Sequence, residues 1–98
     1  MFEGQYTMEE LEALLETYLD ICDYRNIDTI QDVLIDFETS FSKLPENEQD
    51  AIFNHCILGI NLEETAIELR TKPTTISSRC SRGKERLMRY MNGSYIGD

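Results

Sequence analysis

Apolar side chains recur every three or four residues along most of the chain, and no segment alternates apolar and polar residues as a half-buried strand does. The first such series comprises Met8, Leu11, Leu15, Tyr18 and Cys22. The second comprises Ile27, Ile30, Leu34, Phe37, Phe41 and Leu44. This spacing places each series on one face of a helix, so the pattern predicts an all-α protein of four to five helices.

Capping residues and a short polar link divide the first part of the chain into two helices. Thr7 and Glu10 have the spacing of a capping box, which predicts a helix start at Thr7. Asn26 or Asp28 can cap the second helix, and the link DYRN before it is short. Residues 1–43 are therefore predicted to form an acidic N-terminal helical hairpin packed on the same core as the rest of the chain.

A third helix follows between a proline and a glycine. Pro45 suits a first helical turn, and Gly59 suits the residue after a helix end. Glu46 and Glu48 fall at its start, where the helix dipole favours negative charge. Its predicted buried side consists of Ala51, Ile52, Phe53, Cys56 and Ile57.

The segment 60–91 has the outline of a helix-turn-helix motif. Asn61 and Glu64 again have capping-box spacing, and they open a short helix that runs to about Arg70. Pro73, at a first-turn position, then starts a longer helix. We therefore predict a short helix, a tight turn and a long C-terminal helix.

The long helix separates its apolar and polar residues by face. One face carries Ile76, Cys80, Gly83, Leu87 and Met91, which are predicted to face the core, with Gly83 allowing a neighbouring helix to approach closely. Thr74, Ser77 and Ser78 point away from this face. The flank carries Arg79, Arg82, Arg86 and Arg89. Small hydroxyl groups at a helix start, flanked by arginines, suit entry into a DNA major groove with phosphate contacts at its rim.

Charge is divided between the two parts of the chain. Residues 1–69 hold seventeen acidic and two basic residues, whereas residues 70–98 hold two acidic and seven basic residues, within a net charge of −10. A local basic face can bind DNA on an acidic protein because salt screens charges beyond about 10 Å. A basic helix face that is simply solvated, or paired with the acidic helices, is the other interpretation of this pattern.

Several classes of protein are not supported by the sequence. Cys22, Cys56 and Cys80 are widely spaced and His55 is the single histidine, so neither a disulfide framework nor a metal site is expected. The chain has no nucleophile–base pair or phosphate-binding glycine loop, and we expect no enzymatic activity and no cofactor. Without an apolar run of membrane-spanning length or an export-type N-terminus, a cytoplasmic protein with no membrane partner is expected.

Four landmarks stand along the segment 44–92: Leu44-Pro45-Glu46, Gly59, Glu63-Glu64 with Ala66, and Thr75-Ile76 with Ser78-Arg79. With these landmarks the segment resembles region 4 of bacterial sigma factors. The resemblance runs without a gap through LPENEQDAIFNHCILGINLEETAIELRTKPTTISSRCSRGKERLMRYM. Arg70 stands where the family usually has a glycine-like turn residue, and residues 1–43 do not match the promoter-melting region of a complete sigma factor.

The resemblance implies roles for individual residues of the last helix. Base contacts would fall to Pro73, Thr74, Ser77 and Ser78. Backbone contacts would fall to Lys72, Thr75, Arg79 and Arg82, and Arg86 extends the same flank. Members of this family bind promoter DNA through this helix and dock on the β flap of RNA polymerase, which makes both of them expected partners.

The sequence thus predicts a small bacterial or phage transcription regulator that resembles a detached sigma region 4, with residues 93–98 as a frayed tail. The rival interpretation is a protein-interaction module of the same fold that binds RNA polymerase, a sigma factor or another regulator without binding DNA. Any apolar surface of the hairpin left uncovered is expected to contact a partner or a second copy of the chain in a homodimer.

Overall fold

The computed structural model describes residues 6–93, and every regular element in this range is helical. The five helices are α1 (Met8–Ile21), α2 (Asp28–Phe41), α3 (Glu46–Ala51), α4 (Leu62–Glu68) and α5 (Pro73–Met91). A 3₁₀ turn (Cys22–Tyr24) follows α1, and α3 continues as a π-helical segment (Ile52–Ile57). The all-α prediction is confirmed. The part of the predicted tail after Gly93 lies outside the described residues. Residues 1–5, at the start of the predicted hairpin, lie outside them too.

Most helix ends fall where the local chemistry predicts them. The Thr7 side chain accepts a hydrogen bond from the Glu10 amide, and the Glu10 carboxylate accepts one from the Thr7 amide. The Asn61 side chain likewise accepts from the Glu64 amide at the start of α4. Pro73 is the first residue of α5, where its missing N–H is not needed. Gly59 follows the π-helical segment with φ +77°, a conformation that glycine adopts without strain.

Two sequence predictions are wrong in detail. The residue that precedes α2 is Ile27, and no side chain caps this helix, so neither Asn26 nor Asp28 acts as its cap. Phe53 is 42% exposed instead of buried. In a π-helix each residue advances by less than the usual 100°, so the wider turn after Ala51 rotates Phe53 away from the face that a regular α-helix would give it.

The core lies around α5, which packs against each of the other four helices. Its inward face is as predicted, and Tyr90 is buried in addition. The hairpin contributes Leu11, Leu15 and Phe37 to the same apolar cluster that contains Ile52 and Leu87. The N-terminal hairpin and the C-terminal helices therefore share one core, and α5 is held with one face buried and the opposite face open.

Gly83 lies at a close contact between α5 and the α3 segment with its π-helical extension. A β-carbon at this position would lie 2.5 Å from Ile52 Cδ1 and 3.4 Å from Glu48 Cβ. The absence of a side chain therefore lets the backbone of α5 approach α3 and its π-helical extension, as the sequence predicts for Gly83. This contact sets the position of α5 relative to α3 and brings the Glu48 side chain beside the basic flank of α5.

Candidate nucleic-acid interface

The turn between α4 and α5 is closed by backbone hydrogen bonds around a left-handed residue. The Thr71 amide donates to the Ala66 carbonyl (2.8 Å) and the Arg70 amide donates to the Ile67 carbonyl (3.2 Å), which is the pattern of a Schellman motif. Arg70 takes the left-handed position with φ +59°. It is the only non-glycine residue with a positive φ among residues 6–93. Arg70 therefore adopts a left-handed backbone conformation at the position where the sigma family usually has a glycine-like residue.

The first turns of α5 present small polar side chains to solvent. Thr74, Ser77 and Ser78 are exposed, whereas Thr75 is half-buried. Lys72, the residue before the helix, makes no side-chain cap, and it is exposed together with Pro73. The free amides and exposed hydroxyls at this end are hydrogen-bond donors gathered at the positive pole of a 19-residue helix.

The arginine flank of α5 lies against a buried carboxylate. Glu48 in α3 keeps only 5% of its side chain exposed, and its Oε1 lies 3.2 Å from Arg86 Nε. Glu48 Oε2 lies 4.0 Å from Arg82 Nε. Neither Glu48 Oε1 nor Arg86 Nε makes a hydrogen bond within the described part of the chain, so these two atoms attract each other by charge without an aligned N–H···O bond. The carboxylate nevertheless raises the pKa of Arg86.

Sequence reasoning missed the burial of Glu48, which was expected to act only on the helix dipole. A signal for it was present, because Glu48 precedes Ala51 and Ile52 by three and four residues and thus shares their face. Its single negative charge stands between two arginines. The group formed by Glu48, Arg82 and Arg86 therefore keeps a net charge of plus one.

The remaining basic residues of the predicted DNA-binding set differ in their surroundings. Lys72 is exposed and Arg79 is half-buried, and neither forms an ion pair with any residue from 6 to 93. On the other side of α5, Lys84 Nζ lies 3.3 Å from Glu12 Oε2 of α1. The structure therefore brings together the hydroxyl residues, Lys72 and Arg79 near the first half of α5, and it holds Arg82 and Arg86 beside Glu48.

No protein-family model matches the chain, and neither the curated proteins nor the solved structures contain a significant match to it. In the range 6–93, no three residues of the types that bind metals are arranged around a common point. None of the helices described is long and apolar enough to cross a membrane. The functional assignment therefore depends on the geometry of α5 and its neighbours.

Proposed function

We propose that the chain is a small transcription regulator that resembles a stand-alone sigma factor region 4 and binds promoter DNA through α5. In this proposal α4, the turn and α5 act as a helix-turn-helix, with α5 in the major groove. The observation that carries it is the open N-terminal half of α5, where Thr74, Ser77 and Ser78 are exposed beside Lys72 and Arg79.

The chemistry of this surface supports DNA as the ligand. Hydroxyl groups can donate to and accept from base edges, while unpaired cations bind phosphates and release the counterions around them. Arg82 keeps 59% of its side chain exposed, so it can reach a phosphate while it remains near Glu48. Arg86 is 38% exposed and lies closer to Glu48, which makes it the weaker of the two phosphate contacts.

A second candidate function, a protein-interaction module that does not bind DNA, is favoured by other features. Arg82, Arg86 and Lys84 all have acidic neighbours in the same chain, which reduces the positive field that DNA would meet. Ile67 on α4 is 78% exposed, and Leu58 just before α4 is 44% exposed. An exposed apolar side chain near the turn suits a protein partner such as RNA polymerase better than it suits DNA.

A salt titration with two matched lysine variants separates the two functions. Binding of wild type, Lys72→Ala and Lys43→Ala to a promoter duplex and to a scrambled duplex is measured by fluorescence anisotropy between low and moderate salt. We expect Lys72→Ala to weaken binding to both duplexes and to lower the salt slope by about one unit, as the loss of one phosphate contact requires. Lys43 is an exposed lysine outside the proposed contact set, so its variant should bind like wild type.

Two results would decide against DNA. Failure of wild type to bind either duplex at low salt would leave the interaction module as the better assignment. Equal losses in Lys72→Ala and Lys43→Ala would mean that general charge, and not the start of α5, governs the binding. In the DNA-binding case, Ser78→Ala should change discrimination at one base pair by roughly 1–3 kcal/mol if this hydroxyl reads a base.

A further inference from the structure

Two cysteines distant in the sequence are neighbours in the fold. Cys56 lies in the π-helical segment after α3, and Cys80 lies on the buried face of α5. Glu48 lies beside Arg86 and Ile52 lies beside Gly83, so the two helical segments run antiparallel. Cys56 is one turn after Ile52 and Cys80 is about one turn before Gly83, which brings the two cysteines opposite each other. This antiparallel register places the Cys80 side chain beside the Cys56 side chain, so that the two thiols interact.

The two thiols differ in their access to solvent. Cys80 is 5% exposed, whereas Cys56 is half-buried and lines an open cavity of about 410 Å³. His55, Lys84 and Glu12 line the same cavity. A small uncharged molecule can therefore reach Cys56 from solvent, while Cys80 can be reached only through Cys56 or by opening the core.

The surroundings of Cys56 favour its thiolate. The hydrogen bond from the Cys80 thiol, aided by the positive charge of Lys84 and by His55, lowers the pKa of Cys56 to about 7 against the opposing effect of burial. The hydrogen bond to Cys56 raises the pKa of Cys80, and burial and the negative charge that develops on Cys56 raise it further. His55 Nδ1 lies 2.7 Å from the Ile60 carbonyl, which can only accept, so this nitrogen carries the proton and the ring is fixed at the cavity wall.

We propose that Cys56 and Cys80 form a peroxide-sensitive dithiol, in which Cys56 at the cavity reacts first and Cys80 beneath it resolves the product as a disulfide. The ligand class is a small uncharged hydroperoxide, because Glu12 and Glu16 at the cavity disfavour bulky anions. The inference does not depend on what α5 binds. The resulting bond would join the π-helical segment to α5 across their contact.

The reaction balances without any further reactant. The Cys56 thiolate attacks the peroxide, the S–O bond forms as the O–O bond breaks, and the leaving alkoxide or hydroxide takes up a proton. The Cys80 sulfur then attacks the Cys56 sulfenic acid, and the S–S bond forms as hydroxide leaves with the Cys80 proton as water. Both cysteines are oxidised and one peroxide is reduced, in the manner of a reactive and a resolving cysteine.

The test is oxidation of the folded full chain with one equivalent of hydrogen peroxide, followed by thiol counting and mapping of unreduced peptides. Wild type has three free cysteines, and we expect two of them to be lost, with the Cys56 peptide linked to the Cys80 peptide. Cys22→Ser is the matched control, since Cys22 is half-buried and has a cationic neighbour, Arg25 Nη2 at 3.7 Å. This variant should oxidise like wild type.

The remaining variants separate the two roles. Cys56→Ser should abolish the intramolecular disulfide, whereas Cys80→Ser should give a Cys56 sulfenic acid that a neutral dione reagent traps. The mapping of wild type tests the proposal even if a buried Cys80 variant does not fold. A disulfide that includes Cys22, or oxidation that stops at unlinked Cys56 in wild type, would overturn the proposal.

Discussion

Arg70 is the residue in which the chain departs most clearly from local conformational preference. It is exposed and holds φ +59° in the turn that leads into α5. The left-handed region costs an L-residue with a β-carbon roughly 1–2 kcal/mol. The Schellman hydrogen bonds and the packing of Ala66 and Leu69 just before the turn hold it there. The position of α5 thus depends on a turn that is under strain.

Replacing Arg70 with glycine should relieve this strain. We expect Arg70→Gly to raise the free energy of unfolding by about 0.5–1 kcal/mol, because the relief exceeds the entropy that glycine adds to the unfolded chain. Arg70→Ala is the control, since it removes the same side chain and keeps the β-carbon, and it should give no gain. Urea denaturation of wild type, Arg70→Gly and Arg70→Ala measures the free energy of unfolding of each protein. A glycine variant no more stable than the alanine variant would show that the turn stores no strain.

The contact between helices α3 and α5 depends on the missing side chain at Gly83. A β-carbon there would lie 2.5 Å from Cδ1 of Ile52, which is fully buried and cannot move aside freely. Overpacking costs roughly 1–3 kcal/mol, while alanine regains about 1 kcal/mol of helix propensity. We therefore expect Gly83→Ala to lower the free energy of unfolding by about 1–2 kcal/mol.

A double-mutant cycle identifies the cause of this loss. Ile52→Val deletes the clashing Cδ1 atom. The double variant should therefore lose about 1 kcal/mol less free energy of unfolding than the two single variants lose together. Ile76→Val combined with Gly83→Ala is the control, because Ile76 is equally buried but is not among the atoms nearest to the added β-carbon. Additive losses in both pairs would contradict a specific clash at Ile52.

A polar cluster joins the end of α1 and the link after it to the last turn of α2. The Tyr18 hydroxyl and the Arg25 guanidinium both donate to the Glu38 carboxylate, with Arg25 Nη2 at 2.7 Å from Oε2. These two donors, Arg25 first, lower the pKa of Glu38. Burial and the bond to Glu38 raise the pKa of Tyr18, so its hydroxyl remains a donor. The cluster therefore ties α1 and the link after it to the C-terminal part of α2.

This cluster should make stability depend on pH in the acid range. Because the folded pKa of Glu38 is depressed, its contribution is complete above 4.5, the ordinary value, and is lost as the pH falls through the folded value. We expect Glu38→Gln to be less stable than wild type by about 1 kcal/mol at pH 7, a value kept small by the exposure of the pair. The difference should shrink below pH 4.5. Urea denaturation across this range tests it, with the exposed Glu16→Gln as a control that should change little. A difference independent of pH would assign the loss to packing.

Local chemistry predicted the helix boundaries better than it predicted the contacts between helices. Capping boxes, Pro73 and Gly59 act within a few residues, so the sequence alone places them. The π-helical segment that exposes Phe53 has no such local signal. Glu48 beside Arg86 and Cys56 beside Cys80 arise from the crossing of two helices, and their sequence separation hides them. The polar face of α5 follows from the spacing of residues within one helix, so it was predictable. The ion pairs of Arg82 and Arg86 with Glu48 depend on a second helix, so they were not.

On the scale of the whole molecule, the ends of the described chain meet. The Tyr6 amide donates to Asn92 Oδ1 (2.7 Å), and Asn92 Nδ2 donates to the Tyr6 carbonyl (3.3 Å). The start of α1 is thereby tied to the end of α5, and the ion pair between Glu12 and Lys84 joins the same two helices. Leu11, Leu14 and Leu15 of α1 are part of the core, so removal of the hairpin would unfold the protein and could not test its electrostatic effect.

A single charge change tests whether the acidic hairpin opposes DNA binding by α5. Glu12 pairs with Lys84 across the two elements, so Glu12→Gln releases one cation of α5 and leaves the apolar face of α1 intact. We expect this variant to bind a DNA duplex at low salt roughly threefold more tightly than wild type, in keeping with a surface ion pair worth less than 1 kcal/mol. The gain should fade as salt is added, because screening weakens both the ion pair and the attraction of the released Lys84 charge for DNA.

The matched control for this effect is Asp20→Asn. It changes the net charge by the same amount on the same helix, but Asp20 is exposed and forms no ion pair with the part of the chain that the structure describes. A larger gain for Glu12→Gln than for Asp20→Asn would place the effect at the Lys84 contact, and equal gains would assign it to the net charge of −10. If neither variant nor wild type binds DNA, the proposed function itself fails. If all three bind equally, DNA binding stands and the opposition by the hairpin is excluded.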